Sequence, residues 1–304
     1  MKTLVIGGGG LIGTSLRKAL FKEFAHQHKP IEIRWNRPNQ AVADLRQLIE
    51  NFLDEGKKDS WTIAWCAGRG GFSSTKSELE NELLYLSVVL DEIAKSKNNN
   101  GLFFLASSAG ALYTKESSEA FTENSPTSIT NDYGRHKFEQ ENMVKRFSID
   151  TKTKSIIGRL VSIYGPDQNL QKPQGLISQL CNNALQKKPT EIYVPLGTTR
   201  NYLFSEDAAN MIVQCIRFGY ESIVNDDSYS TIKIICNHQS VSISTICKSL
   251  SVITNKRTLI STRLLDGVAK YPEHFHIRSV TSPDLGAYCQ TTLIAGMGRI
   301  LRDV

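Results

Sequence analysis

The chain opens with MKTLVIGGGGLIGTSL, residues 1–16, and this stretch decides the fold. An apolar run, Leu4-Val5-Ile6, meets four consecutive glycines, and an amphipathic stretch with Leu16, Leu20 and Phe24 at helical spacing follows. Glycines pack nothing and cost backbone entropy, so four in a row mark a place where side chains must be kept out. Gly7, Gly10 and Gly13 fall at G-x-x-G-x-x-G between a strand and a helix. A turn of that kind aims helix N-terminal amides at a phosphate. The first glycines permit the tight turn and close pyrophosphate approach, and Gly13 lets the helix sit near the sheet. Leu11 and Ile12, between Gly10 and Gly13, belong to the same coenzyme-facing turn.

Outward from this turn, short apolar runs alternate with helical patterns. Strands are expected at 3–7, 31–35 (IEIRW), 62–68 (TIAWCAG), 101–108 (GLFFLASS) and 155–165 (SIIGRLVSIYG). Helices are expected at 78–97 and 132–147. Continuous apolar strands alternating with helices predict an α/β fold: a doubly wound parallel sheet covered on both faces. The pattern loosens after about residue 165, with helices expected at 175–188 and 205–219 and strands at 191–197 and 230–237. The chain is therefore expected to hold a dinucleotide-binding domain, 1–165, and a smaller, irregular substrate region, 166–304, which the chain is free to interleave.

With 40% hydrophobic and 22% charged residues, the composition is that of an ordinary globular protein. A net charge of +6 mildly favours small anions, while the lack of a compact basic tract argues against nucleic acid. No apolar run reaches membrane-spanning length, and the apolar run before the glycines is too short for a signal peptide. Six cysteines without a CxxC pair read as reduced core thiols of a cytoplasmic protein. His274 and His276 alternate in HFH, yet no third ligand is in view, so no metal is expected.

The chemistry is expected in DYGRHK, where Tyr133 and Lys137 are one helical turn apart and share a face. A lysine cation beside a phenol would lower its pKa from about 10 and create an acid/base group near neutral pH. Ser107 and Ser108 end the fourth strand, at the carboxyl edge where open parallel sheets bind ligands. Ala67 and Gly68 end the third strand in CAGRGG, along the track of a dinucleotide. Asp44, with Leu45 beside it, is a candidate to hold the adenine amino group, or is an ordinary helix N-cap.

The glycine turn, ASSAGALY, the Tyr-x-x-x-Lys pair, GRLVSIYGP (158–166) and TRNYLFSEDAA (199–209) occur in an order that resembles the extended short-chain dehydrogenase/reductases, in particular their NAD-dependent epimerase/dehydratase family. The resemblance implies hydride transfer on a nucleotide-activated sugar, by 4-keto reduction or epimerisation. It implies Tyr133 as acid/base and Lys137 on the nicotinamide ribose. Ser108 would be on the reacting sugar oxygen, with Ser107 as second candidate. Asn81 matches a coenzyme-side asparagine, Arg200 a diphosphate ligand, and Arg278 a second one. The chain departs from the family at Ser162, where asparagine is frequent among substrate contacts, and at Asn201, within a usual Arg-Asp-Tyr. It also has Ala109 and Gly110 where 4,6-dehydratases carry an acidic pair. Homodimerisation through the Tyr133 helix is a further implication.

No carboxylate ends the expected second strand: Trp35, Asn36 and Arg37 stand there. An acid would bind the ribose 2′-hydroxyl of NAD, whereas Arg37 can meet a 2′-phosphate, and Arg34 or Arg37 could lie across adenine. The coenzyme expected is NADP in preference to NAD. Two other readings stay open: a carbonyl or alcohol substrate without a nucleotide, and a non-enzymatic dinucleotide sensor.

Overall fold

The structure is a computed structural model that describes residues 1–24, 32–54, 60–68, 71, 74–115, 117–170, 175–222, 229–263, 273–281 and 285–303. Ile31, at the head of the expected second strand, and Arg69 and Gly70 of the CAGRGG turn lie outside the described residues.

Five parallel strands form the central sheet: β1 (Lys2–Ile6), β2 (Trp61–Trp65), β3 (Gly101–Ser108), β4 (Lys154–Leu160) and β8 (Ser230–Ile235), in the order β1-β2-β3-β4-β8. Side chains alternate between the faces of each strand, and the two buried clusters follow that alternation. Val5, Ala64, Phe104 and Ile156 pack under α1 (Leu11–Phe24) and α7 (Ser205–Ser222). Leu4, Ile6, Ile63, Trp65, Phe103 and Ile157 pack under α2 (Pro38–Asp54), α3 (Lys76–Ser96) and α5 (Asp132–Thr151). Both faces are covered, which explains why the strands read as unbroken apolar runs. The register leaves β3 three residues longer than β2: Leu105 faces Trp65, while Ala106, Ser107 and Ser108 pair only with β4. That overhang carries the serines to the carboxyl edge.

Residues 32–35 form no strand. Their hydrogen bonds are local: Arg34 N–H donates to the Asp44 carboxylate (3.0 Å), Trp35 N–H to Ile33 O (2.9 Å) and Arg37 N–H to Arg34 O (2.9 Å). A backbone donor taken by a helix side chain cannot enter a ladder. Among the described residues β1 therefore pairs with β2 alone. The expected strand at 155–165 is two, since the chain turns at Val161 and β5 (Ser162–Tyr164) leaves to pair with β7 (Thr199–Phe204). β7 also pairs antiparallel with β9 (Ser240–Ser242). A third core, with Tyr164, Leu180, Phe204, Ile246 and Met297, lies among α6 (Leu176–Leu185), α8 (Ile243–Thr254) and α9 (Leu293–Asp303). Of the strand expected at 191–197 only its start is formed, in β6 (Thr190–Ile192), which pairs with β10 (Ile260–Thr262). Residue 165 is no boundary in space, because β8 extends the central sheet beside β4 and α7 packs on α1.

Candidate active site

The glycine turn is shaped by exclusion. Gly7 has φ +86°, and a Cβ there would enter the Ala67 backbone at the end of β2. A Cβ on Gly13 would run into the Gly7 carbonyl, so α1 lies directly on the turn. The turn closes through Gly10 N–H to Gly7 O (3.1 Å) and Thr14 Oγ1 to Gly8 O (3.1 Å). A Cβ on Gly9 would meet nothing within 4 Å, and one on Gly10 only Gly7 O at 3.5 Å. Open space therefore stands before the α1 N-terminus, whose first turn has no acidic residue. These features fit a dinucleotide pyrophosphate, with Leu11 and Ile12 supplying first-turn amides.

Opposite this turn, α5 begins at an N-cap, with Gly134 N–H donating to Asn131 Oδ1 (2.8 Å). The cap presents Tyr133 to the end of β3, where the Tyr133 and Ser108 side chains are hydrogen-bonded. Lys137 is 7% exposed and donates to Ala106 O (3.3 Å) and Gln140 Oε1 (2.9 Å). Burial lowers its pKa, opposed by the charges of Glu82 and Glu141. The Tyr133 phenol is pushed up to about 12, first by burial and then by the Glu82 charge, against the lowering effect of its Ser108 bond. The expected downward shift is not present. The phenol therefore carries its proton at neutral pH.

Ser107 has no place in this centre. Strand alternation turns it inward, and its hydroxyl donates to Glu141 (2.7 Å). Glu141 is fully buried and accepts two bonds from Arg159 (2.9 and 2.7 Å), which also donates to the Tyr113 hydroxyl (2.5 Å). This network clamps α5 to β3 and β4 and so fixes where Tyr133 and Lys137 stand.

A sequence model of the family described as "NAD dependent epimerase/dehydratase family" matches residues 3–227. The chain belongs to this family. Over 93 residues it is 36% identical to dTDP-L-rhamnose 4-epimerase of Burkholderia thailandensis, covering 30% of this chain and 25% of that protein. Over 251 residues it is 24% identical to dTDP-D-glucose 4,6-dehydratase of Dictyostelium discoideum, covering 72% and 56%. The chain thus spans between a quarter and just over half of these curated relatives. In fold it is similar to a Thermus thermophilus UDP-glucose 4-epimerase solved with NAD: TM-score 0.78, 16% identity, 100% of this chain and 98% of the other covered.

Within this epimerase/dehydratase-family chain, Asp44 is neither an N-cap nor at the end of a strand. It lies inside α2, and Arg34 takes both carboxylate oxygens. That pairing lowers Asp44 to about 2 and ties down the Arg34 guanidinium, which was expected to be available to adenine. Leu45 is fully buried in the α2 core, so its side chain is not offered to a coenzyme. Arg37 is exposed, with Gln40 Oε1 at 3.3 Å. Asn81 is half-buried on α3, and Ala67 and Gly68 lie at the end of β2.

Arg200 on β7 is half-buried and donates to two main-chain carbonyls, Thr199 O (2.7 Å) and Glu273 O (3.3 Å), above the Phe275 ring. It has no carboxylate partner among the described residues, and burial lowers its pKa. Arg278 is exposed, its backbone N–H donating to Phe121 O (3.0 Å) beside the Phe121–Ile277 bridge, and Ser162 is exposed on β5. His274 and His276 are exposed beside buried Phe275. The described residues hold no cluster able to bind a metal and no helix long and apolar enough to cross a membrane. Sequence reading missed Glu82, His136, Glu141 and Arg159. The available signal was charge inside otherwise apolar patterns, as in SIIGRLV and the α5 stretch HKFEQEN.

Proposed function

We propose that this chain catalyses hydride transfer at a carbon of a nucleotide-activated sugar, as a 4-keto reductase or an epimerase. The observation that carries the reading is the hydrogen-bonded Ser108–Tyr133 pair, with Lys137 one turn on, facing a glycine turn open to a pyrophosphate. A bound nicotinamide would supply or accept the hydride. Gly7, Gly10, Gly13 and the first amides of α1 would hold the pyrophosphate, with Ala67, Gly68 and Asn81 along its track. Lys137 would exchange its Ala106 and Gln140 acceptors for ribose hydroxyls. Tyr133 Oη moves the proton of the reacting sugar oxygen, and Ser108 Oγ orients that oxygen.

Arg200 favours a nucleotide sugar over an uncharged carbonyl compound. A half-buried guanidinium held only by carbonyls is suited to a diphosphate, at about 1.5–3 kcal/mol for a charge-assisted contact. Arg278 and Ser162 are proposed as further contacts of the same ligand. For the coenzyme, the family description supports NAD; the exposed Arg37, which has no carboxylate partner among the described residues, favours NADP, and with it the reductase. We further propose a homodimer through the Tyr133 helix, in the cytoplasm.

The test is thermal stabilisation by UDP-, dTDP- and GDP-sugars, each with NAD, NADP or neither. Saturation at 100 times Kd adds about 2.7 kcal/mol. Stabilisation by dinucleotide alone, with no sugar nucleotide adding to it, would return the weight to a non-nucleotide substrate. NAD binding tenfold tighter than NADP, about 1.4 kcal/mol, would overturn the role of Arg37 and favour the epimerase.

A further inference from the structure

Two buried titratable side chains beside the centre take no part in the proton transfer above. Glu82 stands on α3, and His136 stands on α5 immediately before Lys137. His136 Nε2 and a Glu82 carboxylate oxygen are 3.0 Å apart, with the side chains 2% and 11% exposed. A Cβ on Gly68 would stand 3.2 Å from the same carboxylate oxygen, so Glu82 abuts the strand end that the dinucleotide is expected to cross. The pair joins the β2 end, α3 and the catalytic helix at one point.

His136 Nδ1 is buried and has no hydrogen-bond partner among the described residues. A proton there would be a buried donor with nothing to receive it. The tautomer with its proton on Nε2 avoids this, and the ring then donates to the Glu82 carboxylate. Besides His136, the groups facing that charge are Tyr133 and Lys137, both on α5. Lys137 also faces Cys66 and Glu141, and Glu141 is met by the Arg159 guanidinium.

We propose that Glu82 is the counter-charge for the nicotinamide end of the coenzyme site and that His136 is the latch that holds its carboxylate there. The inference rests on the dinucleotide reading. An oxidised nicotinamide ring is positive and a reduced one is neutral, so a fixed carboxylate at the Lys137 centre favours the oxidised form. Both residues act through position and charge rather than by touching the reacting atoms.

Calorimetric titration of the full chain with NAD⁺, NADH, NADP⁺ and NADPH tests this without any substrate. Glu82→Gln is expected to weaken the oxidised form by roughly tenfold relative to the reduced form, the scale expected for loss of one partly screened unit charge. His136→Gln keeps an amide donor and should leave the ratio near that of the parent. His136→Leu should move it toward the Glu82→Gln value. Circular dichroism checks folding, and if Glu82→Gln does not fold, the two His136 variants read the same ratio. An unchanged ratio, or equal weakening of both forms as a purely structural role would give, overturns the proposal. A parent chain that binds neither form overturns the dinucleotide reading itself, and the inference with it.

Discussion

Tyr133→Phe keeps the ring packing at the start of α5 and removes the hydroxyl proposed to exchange a proton with the substrate. Turnover is expected to fall by about 10² to 10⁴, with dinucleotide affinity nearly unchanged. Turnover within threefold of the parent would remove Tyr133 from its role. Arg200→Ala separates the two ligands in the other direction. It should cost sugar-nucleotide binding about 1.5–3 kcal/mol and spare the dinucleotide, because Arg200 lies on β7 and the glycine turn is at β1. Equal sugar-nucleotide affinity by calorimetry would count against a diphosphate at this arginine. At this scale the sequence offered the groups proposed to face the substrate and little of what holds them. Ser108 and Tyr133 carry a recognisable spacing, whereas Glu141 and Arg159 find each other only through the β3–β4 register, which no local pattern encodes.

At the scale of elements, the glycine turn separates two demands that look alike in sequence. Gly13 is needed by the fold, since its hydrogen stands where a Cβ would strike the Gly7 carbonyl. Gly9 is not, because a Cβ there meets nothing within 4 Å and its φ is not positive. Gly13→Ala should therefore destabilise the protein by about 1–3 kcal/mol, the usual cost of overpacking. Gly9→Ala should leave stability within about 0.5 kcal/mol and weaken dinucleotide binding, because the added methyl enters the coenzyme's space. Chemical denaturation and calorimetry on both variants read the two effects, and equal affinities for Gly9→Ala and the parent would mean that the pyrophosphate passes elsewhere. The same region shows where periodicity misleads. IEIRW has the composition of a strand, but Asp44 on α2 draws in the Arg34 backbone and side chain together, a contact ten residues away that a strand pattern does not register. Four of the five expected strands of the first half did form, in each case as an apolar run flanked by a helix on either face.

For the whole molecule, the informative quantity is the number of protons that folding protects. Burial pushes Cys66, Cys181, Cys215 and Cys236 up to about 12 from an ordinary value of 9.0. Tyr133 and Tyr202 are likewise pushed up to about 12 from 10.0, and Tyr164 and Tyr220 are raised further. In each case the folded chain holds a proton that the unfolded chain would release, so the stability these groups contribute is complete below about pH 9 and is lost as pH rises toward 12. Each fully titrating group costs up to about 1.4 kcal/mol per pH unit in that window. The four thiols alone could exhaust a typical stability of about 5–15 kcal/mol within about one to three units. The urea midpoint should hold steady from about pH 7 to 9 and fall steeply above it, with unfolding complete before pH 12. A midpoint that is flat to about pH 11 would mean that these groups are far better hydrated than their burial indicates.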